Sequence, residues 1–443
     1  MGRQTTATKV PETSPVTPAV SRGYAWLVFA LSFGLLLSDY MSRQVLNAVF
    51  PQMKAEWLLS DSQLGSLSGI VALMVGVLTF PLSLLADRWG RAKSLVIAAV
   101  VWSLATLACA VSAGYGQMFV GRFLVGVGEA AYGSVGIAVV LSVFPVRLRA
   151  TLSGAFIAGG SFGSVLGVSI GGVIGQAYGW RWAFGVMGAF GLVLAAVFGF
   201  VVTDKKLGSV ASKHSRQSGE RPPLGPQLRR LFSSVSVICA YIGSGAQMFI
   251  TAAMLAWMPS FLNRYYDLPT GKAGLAAGGF ALISGTGMIL CGVVADRLSK
   301  RAGIRKWTVA ITCSLGSLVL LTTGFQLPTG PAQLIVIAAG TLVVGGASGP
   351  AAAMVARLTP PGIAATAMAT LTLANSLIGI APGPAVTGVL ADRWGLLGGL
   401  EVVPLTALAG SVAFAIGRFS YDKDLRRMGL LPDPALSTPE YSS

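Results

Sequence analysis

Four ionisable side chains stand inside long apolar runs: Asp39, Arg43, Arg122 and Glu129. Asp39 and Arg43 are four residues apart, so on a helix they share a face and lie within pairing reach. Arg122 and Glu129 are seven apart, again on one face but roughly 10 Å along the axis at 1.5 Å per residue. That is too far for a direct pair, and each needs another partner. Measured from the outer ends of their apolar runs, the carboxylates lie about 17 and 18 Å deep and the guanidiniums about 10 and 8 Å deep. If helices 1 and 4 are neighbours, two carboxylates share one level and two guanidiniums sit a turn or so above. A carboxylate holds its proton more tightly when buried or beside another carboxylate, and less tightly beside a guanidinium. Small movements here would load or release a proton. The chemistry this suggests is proton coupling by Asp39 and Glu129, with Arg43 and Arg122 exchanging between them and an anionic solute group. The alternative is a fixed ion-pair network that only orients helices 1 and 4.

Such charges cost about 2.5 to 3.5 kcal/mol each near a helix centre in lipid, so exposing all four would cost on the order of 10 kcal/mol. They must face partners or a watery cavity, and the rest of the chain has to supply it. With 53% hydrophobic residues, 11% charged and a mean hydropathy of +0.71 over 443 residues, the chain is far more apolar than a soluble protein with about a quarter of its residues charged. Runs of about 20 apolar residues, each able to cross a hydrocarbon core, recur twelve times. Their spans are 24–50, 63–86, 93–113, 117–143, 150–177, 182–202, 233–262, 272–294, 306–326, 331–357, 362–391 and 397–418. An all-α membrane fold of two six-helix bundles follows, 24–202 and 233–418, joined by a polar, basic linker at 203–232. Residues 1–23 and 419–443 read as cytoplasmic tails. With the N-terminus inside, 25 of the 32 Lys and Arg fall on inner segments, which is the bias that orients membrane proteins.

That placement also argues against nucleic acid as the reason for the net charge of +16, since the basic residues form no continuous stripe. The only histidine, His214, lies in the linker, so no His-based triad or zinc site is expected. All four cysteines fall inside apolar runs at unrelated spacings, as buried thiols do. No catalytic group, metal or cofactor is indicated.

The halves echo each other in sequence. LADRWGRAKS (85–94) follows span 2 and VADRLSKRAG (294–303) follows span 8, so Asp87-Arg88 and Asp296-Arg297 occupy equivalent places, and with Gly90 and Arg91 they make up the candidate gate. Asp87 is a candidate conformational gate, accepting hydrogen bonds from the N-terminus of a facing helix, where an anion is favoured. A second ADRWG, at 391–395, lies on the outer side in this topology and is not counted as another copy. The charges, by contrast, do not repeat: spans 7 to 12 offer only polar candidates, Tyr241, Ser244, Gln247, Trp257, Asn375 and Ser376. Tyr40 joins the charged face of span 1. APGP at 381–384 predicts a simple kink in span 11, the alternative being a break that leaves free carbonyls in a cavity.

LADRWGRAKS, its weaker copy VADRLSKR and GRFLVGVGEA resemble the signatures of the major facilitator superfamily, over residues 24 to 418. GRFLVGVGEAAY (121–132) with DYMSRQVLNAVFP (39–51) resembles its Spinster-like branch. The resemblance implies twelve helices in two pseudo-symmetric bundles, transport by alternating access, and a proton-coupled role for the matching residues Arg43, Arg122 and Glu129. The branch places an acid where this chain has Ser42, and Asp39 lies one turn earlier. The solute implied is amphipathic or anionic, such as a lysolipid. The alternatives are an organic-acid symporter or multidrug exporter of the same superfamily, and, from another class, a membrane receptor or sensor without flux. Partners are the solute, protons and membrane lipids, with no nucleic acid. A monomer in a bacterial inner membrane is expected.

Overall fold

A computed structural model describes residues 21–130, 132–203, 234–299, 303–359 and 364–427; most of the linker, with His214, and most of both tails lie outside these residues. Everything described in the first half is helix or tight turn: α1 (Arg22–Trp57), α2 (Asp61–Trp89), α3 (Arg91–Ala110), α4 (Tyr115–Glu129), α5 (Tyr132–Val143), α6 (Val146–Tyr178) and α7 (Trp180–Val201). The second half follows with α8 (Val235–Tyr265), α9 (Thr270–Ser299), α10 (Arg305–Gln326), α11 (Pro331–Val344), α12 (Ser348–Arg357), α13 (Ala364–Ala374), α14 (Pro382–Val402) and α15 (Thr406–Arg427). Among the described residues, ten segments are long and apolar enough to cross a membrane. One of them, Thr366–Arg427, turns at Gly395 and makes two crossings. The broken pair α4 and α5 completes twelve. Both described chain ends therefore emerge at one face of the bundle, called here the terminal end; the opposite face is the far end.

Local chemistry sets the breaks. Ser60 caps α2 with a full capping box, its hydroxyl taking the Gln63 amide at 3.1 Å while the Gln63 side chain takes the Ser60 amide at 3.0 Å. The APGP run interrupts the regular α-helix without ending the helical backbone: Asn375–Ile380 is a π-helical segment, the Ala381 amide bonding back to Ser376 O at 2.9 Å before Pro382 starts α14. The last helix outruns its apolar stretch, reaching Arg427 instead of ending near 418. Its buried Asp424 accepts from Ser234 Oγ and the Ser236 amide, both at 2.8 Å, and so ties the end of the second half to its beginning.

Lipid is as apolar as a leucine side chain, so helices in a membrane are joined by close packing and by polar contacts more than by hydrophobic burial. Glycine provides the first. A Cβ on Gly172 of α6 would lie 3.1 Å from the Cα of Gly274 in α9, and the reverse holds equally. The largest apolar cluster runs across both halves at the far end, where the Phe50 ring of α1 lies 5.2 Å from that of Trp257 in α8.

Candidate functional site

Glu129 is the last residue of α4, just before the helix breaks. Its side chain is fully buried, and Oε2 accepts from Arg43 Nη2 at 2.7 Å and Nε at 3.0 Å. Arg43 projects from α1 and keeps 17% of its side chain exposed. Its guanidinium also lies over the Tyr40 ring, 5.3 Å from the centroid, an attraction of cation to ring face. Asp39 is buried one turn away, within Coulombic range of Arg43 and Glu129. Asp39 Oδ1 and Glu129 Oε1 have no hydrogen-bond partner among the described residues. The spacing of four suggested Asp39 as the partner of Arg43; the ion pair instead crosses from α1 to α4. A long guanidinium stem reaches a facing helix as readily as its own, and spacing along one helix does not register that choice.

Arg122 is also in α4 but plays a different structural part. It has no exposed surface, and its guanidinium donates to Ser42 O at 2.9 Å, Arg43 O at 3.0 Å and Leu67 O at 3.3 Å. Three backbone carbonyls of α1 and α2 thus surround its charge, using the second lone pair each has to spare. The arginine braces the helix pair that carries Asp39 and Arg43.

In the second half, Gln247 is buried and donates to Ser314 Oγ. The Trp257 indole donates to Pro384 O at 3.0 Å, and Tyr241 donates to Ala367 O at 3.1 Å. These three contacts join helices of that half to one another. Ser244 Oγ and Asn375 Oδ1 are buried without a partner among the described residues, and Ser376 packs on Gly76 of α2. Between the halves lies a cavity of about 110 Å³, walled by Ser161 and Ser164 of α6 and by Met254, Met258, Phe280 and Met288 of α8 and α9, among others. α6 separates it from the charged face, because Gly160 and Gly163 on that helix abut Tyr40.

At the terminal end, Asp296 pairs with Lys306 at 3.0 Å within the second half, and Arg88 and Arg297 are exposed. Gly90 adopts φ 100° and ψ 135°, a conformation open to glycine and strained for other residues. Arg91 begins α3, and the Asp87 side chain lies outside the described residues.

A second constellation, which the sequence reading passed over, closes the far end. Asp61, 3% exposed, receives Lys54 Nζ at 2.7 Å from its own half and Arg264 from α8 through Nη2 at 2.6 Å and Nη1 at 2.9 Å. Asp392 of α14 accepts the Asp61 amide at 2.7 Å and the Ser62 amide at 2.9 Å. Gln176 of α6 accepts the Gly271 amide at 2.8 Å. The signal in the sequence was modest: outer cations Lys54 and Arg264, and a repeated pentapeptide set aside by its topology.

The comparisons with known proteins agree with this architecture. Protein spinster homolog 3 of Danio rerio is 26% identical over 254 residues, which cover 57% of this chain and 51% of that one. The match thus spans about half the length of that relative. The hexuronate transporter of Bacillus subtilis is 25% identical over 86% of this chain and 93% of its own. A bacterial homolog of the human lysosomal transporter Spinster, solved in an inward-facing, unoccupied conformation, superposes with a TM-score of 0.82 at 18% identity, covering 91% and 99% of the two chains. The profile of the Major Facilitator Superfamily matches residues 32–384, and the chain, with its two six-helix halves, belongs to that family of transporters.

Proposed function

We propose that this transporter is proton-coupled and moves an amphipathic or anionic organic solute, such as a lysolipid, by alternating access. The observation that carries the reading is the buried Arg43–Glu129 pair with Asp39 beside it. A carboxylate released from a guanidinium gains affinity for a proton. An anionic solute group that takes Arg43 from Glu129 would therefore help to load Glu129, and departure of the solute would return the guanidinium and expel the proton. Tyr40, stacked on Arg43, is positioned to orient it. The apolar, methionine-lined cavity on the other side of α6 favours a solute with an apolar part, since methionine adapts to irregular shapes. A smaller organic acid is the second reading, favoured by the near full-length likeness to a hexuronate transporter. In this reading the protein works as a monomer in a bacterial inner membrane, with the terminal end in the cytoplasm. Asp87, Arg88, Gly90 and Arg91, with Asp296 and Arg297, form its cytoplasmic gate.

Purified protein in liposomes, given a lysolipid and hexuronate panel under an imposed pH gradient, tests the coupling. Glu129→Gln should abolish gradient-driven accumulation while leaving exchange of solute for solute. Accumulation by Glu129→Gln that still follows the gradient removes Glu129 from the coupling role.

A further inference from the structure

The first turn of α2 leaves its amides to be satisfied by something, as every helix start does. Ser60 covers the Gln63 amide from within the turn. The Asp61 and Ser62 amides are covered from the other half of the molecule, by the two oxygens of Asp392. A carboxylate at a helix start is favoured by charge as well as by its hydrogen bonds.

The residues around Asp392 repeat those at the opposite end of α2. Ala86 to Gly90 and Ala391 to Gly395 are the same pentapeptide, ADRWG. They also share a shape. Gly90 turns with φ 100° and ψ 135°, Gly395 with φ 75° and ψ 164°, and each glycine is preceded by an exposed tryptophan. The helices that carry them run antiparallel in contact. A Cβ on Gly388 would strike Asp61, one on Gly65 would strike Pro384, one on Gly69 would strike Ala381, and one on Gly76 would strike Ser376. Numbers rise along one helix as they fall along the other. The pentapeptide of the second segment thus lies beside the first turn of α2.

We propose that Asp392 is a far-end latch: it holds the first turn of α2 while the far end is closed and leaves it when that end opens. The proposal rests on alternating access, and it makes Asp392 a positioning residue of the transport cycle with no contact to solute. Because Asp392 is largely exposed, its cap lies toward the weaker end of helix-capping effects.

The test is a spin-label distance across the far end of the full chain in nanodiscs. Labels go on Leu58→Cys in the first half and Thr329→Cys in the second, both exposed turns, after replacement of the four native cysteines. Asp392→Ala should raise the ratio of long to short distances about two- to ten-fold, as loss of an exposed cap implies. Ser62→Pro removes one of the two donors at a position where a first helical turn accepts proline; it should shift the ratio the same way by less, and it carries the test if Asp392→Ala does not fold. Arg393→Ala, which removes the neighbouring charge, should match the wild type. Two populations in the wild type with a ratio that Asp392→Ala and Ser62→Pro leave unchanged, or move toward the short distance, overturn the latch alone. A single distance in the wild type at every pH and solute concentration overturns alternating access and the latch with it.

Discussion

The Arg43–Glu129 pair makes an asymmetric prediction, because its two members respond differently to losing each other. Unit charges about 4 Å apart attract by about 4 kcal/mol at an effective dielectric constant of 20. Removing one member of a buried pair costs about 3 to 5 kcal/mol, since the other is left charged without its ion-pair partner; here Asp39, within Coulombic range of Arg43 but not bonded to it, sets the cost of losing Glu129 toward the lower end. Glu129→Leu leaves a guanidinium that cannot give up its proton, with only 17% of its side chain exposed. Arg43→Met leaves a carboxylate that can take one up, so its cost falls to that of the lost charge-assisted hydrogen bonds, about 1.5 to 3 kcal/mol. For bodies of 150 to 250 residues, the size of each half, 1 kcal/mol moves Tm by about 2 to 4 °C. Thermal unfolding followed by tryptophan fluorescence should therefore place Glu129→Leu about 6 to 20 °C below the wild type and Arg43→Met at roughly half that interval. Glu129→Gln, which keeps an acceptor at the same place, should fall between the wild type and Glu129→Leu. Equal losses for Glu129→Leu and Arg43→Met, or a Glu129→Leu variant as stable as the wild type, would refute the argument.

Two further outcomes follow from the packing. Gly69→Ala drives a Cβ into Ala381 O, backbone that cannot yield without parting the halves; at about 1 to 3 kcal/mol for overpacking, the far-end distance ratio should move toward open by roughly 5- to 150-fold. Arg122→Lys loses the planar fork that spans three carbonyls, so Tm should fall by several degrees while KM for the solute is unchanged. An Arg122→Lys variant with normal Tm and a raised KM would make that arginine a solute contact in place of a brace.

Much of this arrangement is written along the chain, and the part that is not has a common cause. Hydropathy marks the crossings because every backbone amide in lipid must bond within its own helix, and a charge at depth stands out against that background. Asp39, Arg43, Arg122 and Glu129 were therefore visible as a group. Their connections were not. Arg43 takes Glu129 in place of Asp39, and Arg122 takes carbonyls, because both choices depend on how α4 leans on α1 and α2. That the Pro-rich run disturbs the helix of span 11 was legible, but the π-helical form was not, since that depends on the bond from Ala381 to Ser376. Asp392 was the hardest to read. Its partners are two backbone amides, and backbone leaves no mark on residue identity.

The cap on α2 also has a consequence for how the molecule is made. Asp61 and Asp392 are 331 residues apart in the chain, and synthesis at about 5 to 20 residues per second separates them by roughly 17 to 66 s. Through that interval the two amides of α2 lack the carboxylate that covers them in the finished fold. Every copy of this protein is thus made with the first turn of α2 lacking its cap, and the middle of α14, which carries Asp392, supplies it.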